Sequence, residues 1–86
     1  AEDYAGTVVG EETVDGKPCV KLALTAQRSG VSYARIELYL AKATSEPVQA
    51  DLYVASDKLA KRATFVVDKV DGRRQVTEMR LEDQIQ

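Results

Sequence analysis

The side chains that could carry out chemistry in this sequence are one thiol, Cys19, and a set of carboxylates, because the chain contains no histidine. A cysteine nucleophile needs a neighbouring base, and the common zinc sites use histidine or several cysteines. A lone cysteine therefore predicts neither a catalytic pair nor a metal site, and it cannot form a disulfide within the chain. We interpret Cys19 as a small strand residue, with pairing between two chains as the alternative.

Paired carboxylates serve acid–base catalysis when their surroundings make one an acid and the other a base. Glu11 and Glu12 are neighbours in the sequence, and Glu37 follows Arg35 by two residues, which places both on one face of a strand. The Arg35–Glu37 pair is more simply a surface ion pair. The sequence also lacks a nucleophile elbow and a phosphate-binding glycine loop. We therefore predict a protein that is not an enzyme and that uses no cofactor or metal.

Charge is almost balanced along the chain, with 12 basic and 14 acidic side chains and a net charge of −2. A nucleic-acid-binding protein concentrates positive charge on one face to neutralise phosphates. The two basic pairs, Lys61-Arg62 and Arg73-Arg74, fit a solvated strand and a hairpin tip. The sequence predicts no nucleic-acid partner.

Length and composition are typical of one folded, water-soluble domain, since 86 residues are 44% apolar and 30% charged. Apolar runs such as residues 65–67 are too short to cross a bilayer. The chain opens Ala1-Glu2-Asp3, without a basic start or an apolar segment, so no signal peptide is predicted within it. We expect a single β domain over residues 1–86.

Turn signals such as Asp15-Gly16 and Asp71-Gly72 separate runs that are rich in Val, Thr, Tyr, Leu and Ile. This spacing predicts an all-β fold, a curved antiparallel meander of about six strands. Gly6 and Gly10 indicate a bulge or bend in the first strand. The predicted strands are residues 4–13, 19–26, 32–40, 48–55, 59–68 and 75–83, and residues 42–45 are predicted to form a single helical turn.

Apolar residues alternate along these strands, which predicts one dry face and one wetter face. Lys61 interrupts the apolar alternation of its strand. No amphipathic helix is available in the sequence to cover the dry face, so a second layer, another chain or a ligand must do so. For each candidate ligand-binding residue on the dry face, the alternative is that it belongs to the ordinary core of the fold. The candidate ligand-binding residues are Leu22, Leu24, Ile36, Leu38, Leu52, Val54, Phe65 and Met79.

The order and spacing of several short segments carry a family resemblance. The segments are VGEETVDGKPC at residues 9–19, LALTA at 22–26, YARIELYL at 33–40, KAT at 42–44, PV at 47–48, LAK at 59–61 and TEMRLED at 77–83. Together they resemble the LolA-like family of outer-membrane lipoprotein-sorting proteins over nearly the whole chain. The chain departs from the family at three positions: Asp57, Tyr39 and Val76 stand where the family often has glycine, tryptophan and proline.

The resemblance implies an incomplete β-barrel, of which this chain would be roughly the second half. It implies a periplasmic carrier whose apolar side holds lipoprotein acyl chains or lipid, with a protein partner at the outer or inner membrane. The alternative is a periplasmic protein-interaction or regulatory sensor domain of the same fold, in which Tyr33, Tyr39 and Tyr53 make protein contacts. The isolated chain is expected to form a homodimer that covers its apolar surface.

Overall fold

The computed structural model describes residues 4–27 and 30–84 of the chain. Its strands form one antiparallel sheet whose order follows the sequence, and the sheet is not closed into a barrel. The predicted six-stranded meander is therefore confirmed, with β1 and β6 as the two edges. The strands are β1 (Tyr4–Val14), β2 (Lys17–Ala26), β3 (Arg35–Ala41), β4 (Pro47–Tyr53), β5 (Leu59–Val70) and β6 (Arg73–Asp83).

Two of the connections are tight turns that the sequence predicts. Asp15 and Gly16 have φ values of 50° and 79°, and Asp71 and Gly72 have φ values of 50° and 81°. Positive φ at both central residues is the requirement of a type I′ turn, whose twist matches that of the flanking strands. These turns join β1 to β2 and β5 to β6. Because the strands alternate in direction, both lie at the same end of the sheet as the β3–β4 turn, and we call this the hairpin end.

The β3–β4 turn contains the helical turn predicted at residues 42–45. The N–H of Ser45 donates to the carbonyl oxygen of Ala41 at 2.7 Å, which closes one turn of helical type. Ser45 itself has a φ of 64°, in the left-handed region, so the chain leaves the helical path there.

Four β-bulges interrupt the register of the sheet. The extra residues are Val9 in β1, Val48 in β4, Ala60 in β5 and Thr77 in β6. The bulge indicated by Gly6 and Gly10 is thereby confirmed and located at Val9. Each bulge bends its strand and increases the local twist. Beyond a bulge, odd-numbered and even-numbered residues of the strand exchange the faces of the sheet to which they point.

The described residues form a single layer, because every helix or strand among them belongs to this sheet. The radius of gyration is 13.6 Å, whereas a compact domain of this length would have about 12 Å. Both faces of the sheet are thus without a second layer from the described part of the chain.

No helix in residues 4–27 and 30–84 is long and apolar enough to cross a membrane.

The lone cysteine lies in β2 near the hairpin end of the sheet. Cys19 is fully buried in β2, and its Sγ lies 3.4 Å from the carbonyl oxygen of Lys17. Its interpretation as a small strand residue is confirmed.

Candidate functional site

The register of the sheet identifies which side chains share a face, because directly opposite residues of antiparallel strands point to the same side. One row crosses all six strands, and shorter rows lie beside it. We call the surface that these rows form the apolar face. Its residues are Val8, Leu22, Leu38, Ala50, Ala63 and Leu81 in the long row, with Leu24, Ile36, Leu52, Val20, Leu40, Phe65 and Met79 beside it.

Seven of the eight predicted site residues lie on this face. The eighth, Val54, follows the end of β4, and its N–H donates to the carbonyl oxygen of Lys58 at 3.1 Å. The strand was expected to continue to residue 55, but the chain already turns toward β5 at Val54. Val54 lies beyond the end of the strand, and its place in the site stays a prediction.

Sequence reasoning left four residues of the long row out of the site. Leu81 alternates with Met79, so its place could have been found from the sequence. Val8 precedes the bulge at Val9, and the two alanines, Ala50 and Ala63, carry a weak hydrophobic signal. Ala50 alternates with Leu52 and Ala63 with Phe65, so their place on the apolar face also follows from the sequence, whereas that of Val8 follows only from the register.

The apolar face is covered in its centre, where Ala50 and Ala63 are buried, and exposed toward its edges. Leu22 and Leu38 are half-buried, whereas Val8, Leu81 and Met79 are 67%, 49% and 56% exposed. Five strand spacings of about 4.8 Å separate β1 from β6, so the long row extends for about 24 Å. The face therefore offers a continuous apolar strip that remains partly open to solvent.

Lys61 interrupts the face as the sequence indicates. It lies opposite Leu52, and its Nζ is 3.6 Å from the Oδ1 of Asp83. The charge is thus paired at the end of the sheet away from the hairpin end.

Gly6 makes room for one of the leucines on this face. A Cβ at Gly6 would lie 2.6 Å from the Cδ2 of Leu24, which is closer than real Cβ contacts. The missing side chain lets Leu24 extend over β1.

The opposite surface, which we call the polar face, carries a network around Glu37. This carboxylate accepts hydrogen bonds from Arg35 and, at 3.2 Å, from the Tyr53 hydroxyl. Lys21 Nζ lies 3.5 Å from it. Arg35 also donates to Asp57 at 2.7 Å. The predicted Arg35–Glu37 pair exists, but it is a half-buried part of a larger network rather than an isolated surface pair.

A second group on the polar face surrounds Asp51, which is only 3% exposed. Its Oδ1 accepts hydrogen bonds from Arg62 Nε at 2.8 Å and from Gln49 Nε2 at 3.1 Å. The hydrogen bond that Arg62 donates to Asp51 raises the pKa of Arg62. The Asp51 carboxylate thus has hydrogen-bond partners within the sheet, and these partners explain why it can be buried.

The tyrosines of the polar face are committed to contacts within the sheet. Tyr39 is 4% exposed, with Lys21 Nζ 5.6 Å from its ring centre. The Arg35 guanidinium lies 3.8 Å from the ring centre of Tyr53. Burial raises the pKa of both Tyr39 and Tyr53. Outside the strands, the backbone carbonyl of Tyr33 accepts a hydrogen bond from the Tyr4 hydroxyl at 2.6 Å.

The described residues contain no group of three or more His, Cys, Asp or Glu side chains that could hold a metal ion. Of the adjacent carboxylates in β1, Glu11 pairs with Lys42, with 3.1 Å between Oε1 and Nζ.

A pocket at the hairpin end was missed by the sequence analysis. It has a volume of about 450 Å³. Its residues come from the start of β2, the β3–β4 turn and the start of β6, so no local sequence pattern predicts it. We call it the hairpin-end pocket, and its lining consists of Lys17, Pro18, Ala41, Lys42, Ala43, Thr44, Glu46 and Arg74.

An open antiparallel sheet of this kind, with one apolar face, is the architecture of LolA-like proteins, and three solved structures share it. A LolA superfamily protein from Nitrosomonas europaea matches 96% of this chain with 25% identity and a TM-score of 0.84. A Vibrio parahaemolyticus domain described as an outer membrane lipoprotein-sorting protein matches 95% of it with 18% identity and a TM-score of 0.84, which shows the fold alone. A DUF1329 family protein from Desulfovibrio piger matches 94% of it with 35% identity and a TM-score of 0.82.

The chain spans little more than a third of each of these structures, namely 38%, 36% and 35% of their respective chains. A family model with the description "Uncharacterized protein" matches residues 1–86, and the chain belongs to the family that this model defines. No protein among those with curated descriptions matches it. The resemblance to LolA-like proteins predicted from the sequence is confirmed at the level of the fold.

Proposed function

We propose that this sheet is part of the wall of a non-enzymatic periplasmic carrier, whose apolar face holds the acyl chains of a lipoprotein or a lipid. The observation that carries the proposal is the apolar row that crosses all six strands from Val8 to Leu81. Its edges are exposed, the two alanines in its centre are buried, and Leu22 and Leu38 beside them are half-buried. The periplasmic location is part of the proposal and rests on the family resemblance.

The chemistry of the face suits an acyl chain. Aliphatic side chains make no directional contacts, and each buried CH₂ contributes about 0.8 kcal/mol. A flexible chain can lie along such a strip in many registers, so the face favours a class of ligand rather than one molecule. The lipoprotein-sorting description of the Vibrio domain and the LolA superfamily membership of the Nitrosomonas protein support this choice of ligand.

The alternative, a protein-interaction or sensor domain that uses the polar-face tyrosines, has less support. Tyr39 is almost completely buried, and Tyr53 is held between Arg35 and Glu37. Tyrosine side chains that are buried or already bound within the sheet are poorly placed to contact a second protein.

The test is native mass spectrometry of the purified full-length protein, followed by denaturing extraction to detect co-purified lipid, and then titration with a palmitoylated peptide. Met79→Lys places a charge on the apolar face, opposite Phe65. The matched control is Val66→Lys, one rung away in the same hairpin but on the polar face, opposite Glu78. Both side chains are exposed, so neither change disturbs the centre of the sheet.

We expect Met79→Lys to weaken peptide binding by at least about tenfold, because burying a methionine side chain is worth about 1.5–3 kcal/mol. Val66→Lys should bind as the unchanged protein does. Absence of lipid together with no uptake of the peptide would overturn the carrier proposal. Equal weakening by both variants would show that the apolar face is not the binding surface.

The same pair of variants tests the expected homodimer. In light scattering the isolated chain should be dimeric, Met79→Lys should shift it toward the monomer, and Val66→Lys should not. A monomer at high concentration for the unchanged chain contradicts dimerisation through the apolar face.

A further inference from the structure

The hairpin-end pocket reaches the apolar face, because the register places three of its lining residues, Pro18, Lys42 and Arg74, on that face. The bulge at Thr77 sets Val76 opposite Val67 and Arg74 opposite Lys69. Since β5 is regular there, Arg74 lies on the same face as Phe65. Without the bulge, Arg74 would point to the polar face.

Two further charged residues reach the apolar face at this end. The N–H of Lys42 donates to the carbonyl oxygen of Pro18 at 2.9 Å, which continues the β2–β3 pairing by one rung and places Lys42 opposite Pro18. The bulge at Val9 places Glu11 opposite Val20. The hairpin end of the apolar face is therefore polar, whereas its middle is aliphatic.

The charges around the pocket are positive in excess. Arg74 binds Glu46 through two hydrogen bonds of 2.8 and 3.1 Å, and Lys42 pairs with Glu11 at 3.1 Å. Lys17, the third cation of the lining, makes no ion pair with any of the described residues. The lining of the pocket thus contains three cations and one carboxylate, Glu46, and carries a net positive charge.

The walls between these cations are apolar. Pro18, Ala41 and Ala43 line the pocket together with the aliphatic parts of Lys17 and Lys42, in a volume of about 450 Å³. Such a cavity is large enough for a small polar head group whose chain continues onto the neighbouring leucines.

We propose that the hairpin-end pocket binds the anionic head group of an amphiphile whose acyl chain lies along the apolar face. The proposal rests on the carrier function proposed above and specifies the ligand class as acidic lipids. Lys17 and Lys42 attract the head group, the Arg74–Glu46 pair forms the wall toward β6, and the aliphatic rows receive the chain. Charge complementarity selects anionic over neutral amphiphiles of the same chain length.

The experiment compares three probes on the full-length protein at low salt by isothermal titration calorimetry. Palmitoyl lysophosphatidylglycerol supplies an acyl chain and an anionic head, monopalmitoylglycerol supplies the same chain with a neutral head, and glycerol phosphate supplies the anion alone. The variant is Lys17→Gln with Lys42→Gln. The control is Lys58→Gln with Arg80→Gln, which removes the same charge from the β4–β5 turn and the polar face.

We expect the unchanged protein to prefer the anionic lipid. The Lys17/Lys42 variant should lose about fivefold in affinity for that lipid per cation removed, while its affinity for monopalmitoylglycerol stays unchanged. The control variant should keep the preference. Added salt should reduce the preference of the unchanged protein, because the cations are solvent-accessible.

Several outcomes would overturn the proposal, and they differ from a failure of the carrier function. Equal affinity for the two lipids would rule out the head-group site but would not contradict the carrier function. Glycerol phosphate binding as tightly as the lysolipid would mean a site for a free anion. Equal losses in both double variants would mean a general effect of net charge. Binding of none of the three probes would overturn both proposals together.

Discussion

The apolar face and the polar face of the sheet differ in which of their residues are covered by neighbouring side chains. The polar face contains Cys19, Tyr39 and Asp51, which are among the most buried residues of the structure. On the apolar face the buried residues are the small Ala50 and Ala63, whereas Met79 and Val8 at its edges are more than half exposed.

The reason is the length of the side chains that can lie over their neighbours. On the polar face, Lys21 and Arg35 lie over the rings of Tyr39 and Tyr53, and Arg62 reaches Asp51 from the adjacent strand. On the apolar face the buried residues are the short Ala50 and Ala63, and the larger aliphatic side chains around them stay partly open to solvent. In a single layer, burial therefore depends on how far the neighbouring side chains reach.

The largest effect that tests this comparison is on stability. Tyr39→Ala should lower the free energy of unfolding by about 3 kcal/mol, because it empties a buried site, whereas Met79→Ala should cost about 0.5 kcal/mol. Urea denaturation followed by circular dichroism measures both. Tyr39→Phe, which keeps the ring, should be much closer to the unchanged protein. If Met79→Ala lowers the free energy of unfolding as much as Tyr39→Ala does, Met79 is covered as well as Tyr39 is.

The next effect concerns ion pairs. Asp51→Ala should destabilise the fold by about 1–3 kcal/mol, because it removes a buried acceptor from Arg62 and Gln49. Glu78→Ala removes an exposed partner of Arg80 and should cost less than about 0.5 kcal/mol. The same denaturation experiment compares the two. Equal costs would mean that burial does not strengthen the contacts of the polar face.

Alkaline titration should reveal the covered tyrosines. Burial raises the pKa of Tyr39 and Tyr53 above the ordinary value of 10.0. Their contribution to stability is therefore complete below that pH and is lost as the pH rises through the raised values. Tyrosinate absorbance should show a phase at higher pH than that of an ordinary tyrosine, and Tyr39→Phe and Tyr53→Phe should each remove part of this late phase. A late phase that survives both changes together would contradict the assignment.

The smallest effect belongs to the solvent-accessible Arg74–Glu46 pair at the hairpin end. The hydrogen bond from Arg74 lowers the pKa of Glu46 below 4.5. The pair stabilises the fold above that pH, and its contribution disappears as the pH falls through the lowered value. Glu46→Gln should reduce the difference between the melting temperatures at neutral and acidic pH. Arg74→Gln should give the same pH profile, and a different profile would mean that the two residues act separately.

The sequence predicted most of the fold and part of the site, for local reasons. Asp-Gly pairs determine tight turns through their backbone preferences, and period-2 alternation places Leu22, Leu38 and Met79 on one face. The predicted strand ends differ from the structure where the chain changes direction earlier than its hydrophobic pattern does, as in β4, which ends at Tyr53 rather than at residue 55.

The sequence by itself determined the six strands, their turns and the existence of an apolar face, because each depends on residues a few positions apart. Only the tertiary structure decided the positions of the four bulges, the coverage of Cys19 and Asp51, and the meeting of Lys17, Lys42 and Arg74 at one pocket. These features depend on which residues of neighbouring strands stand opposite each other. A shift of one residue in register reverses the face of every side chain beyond it.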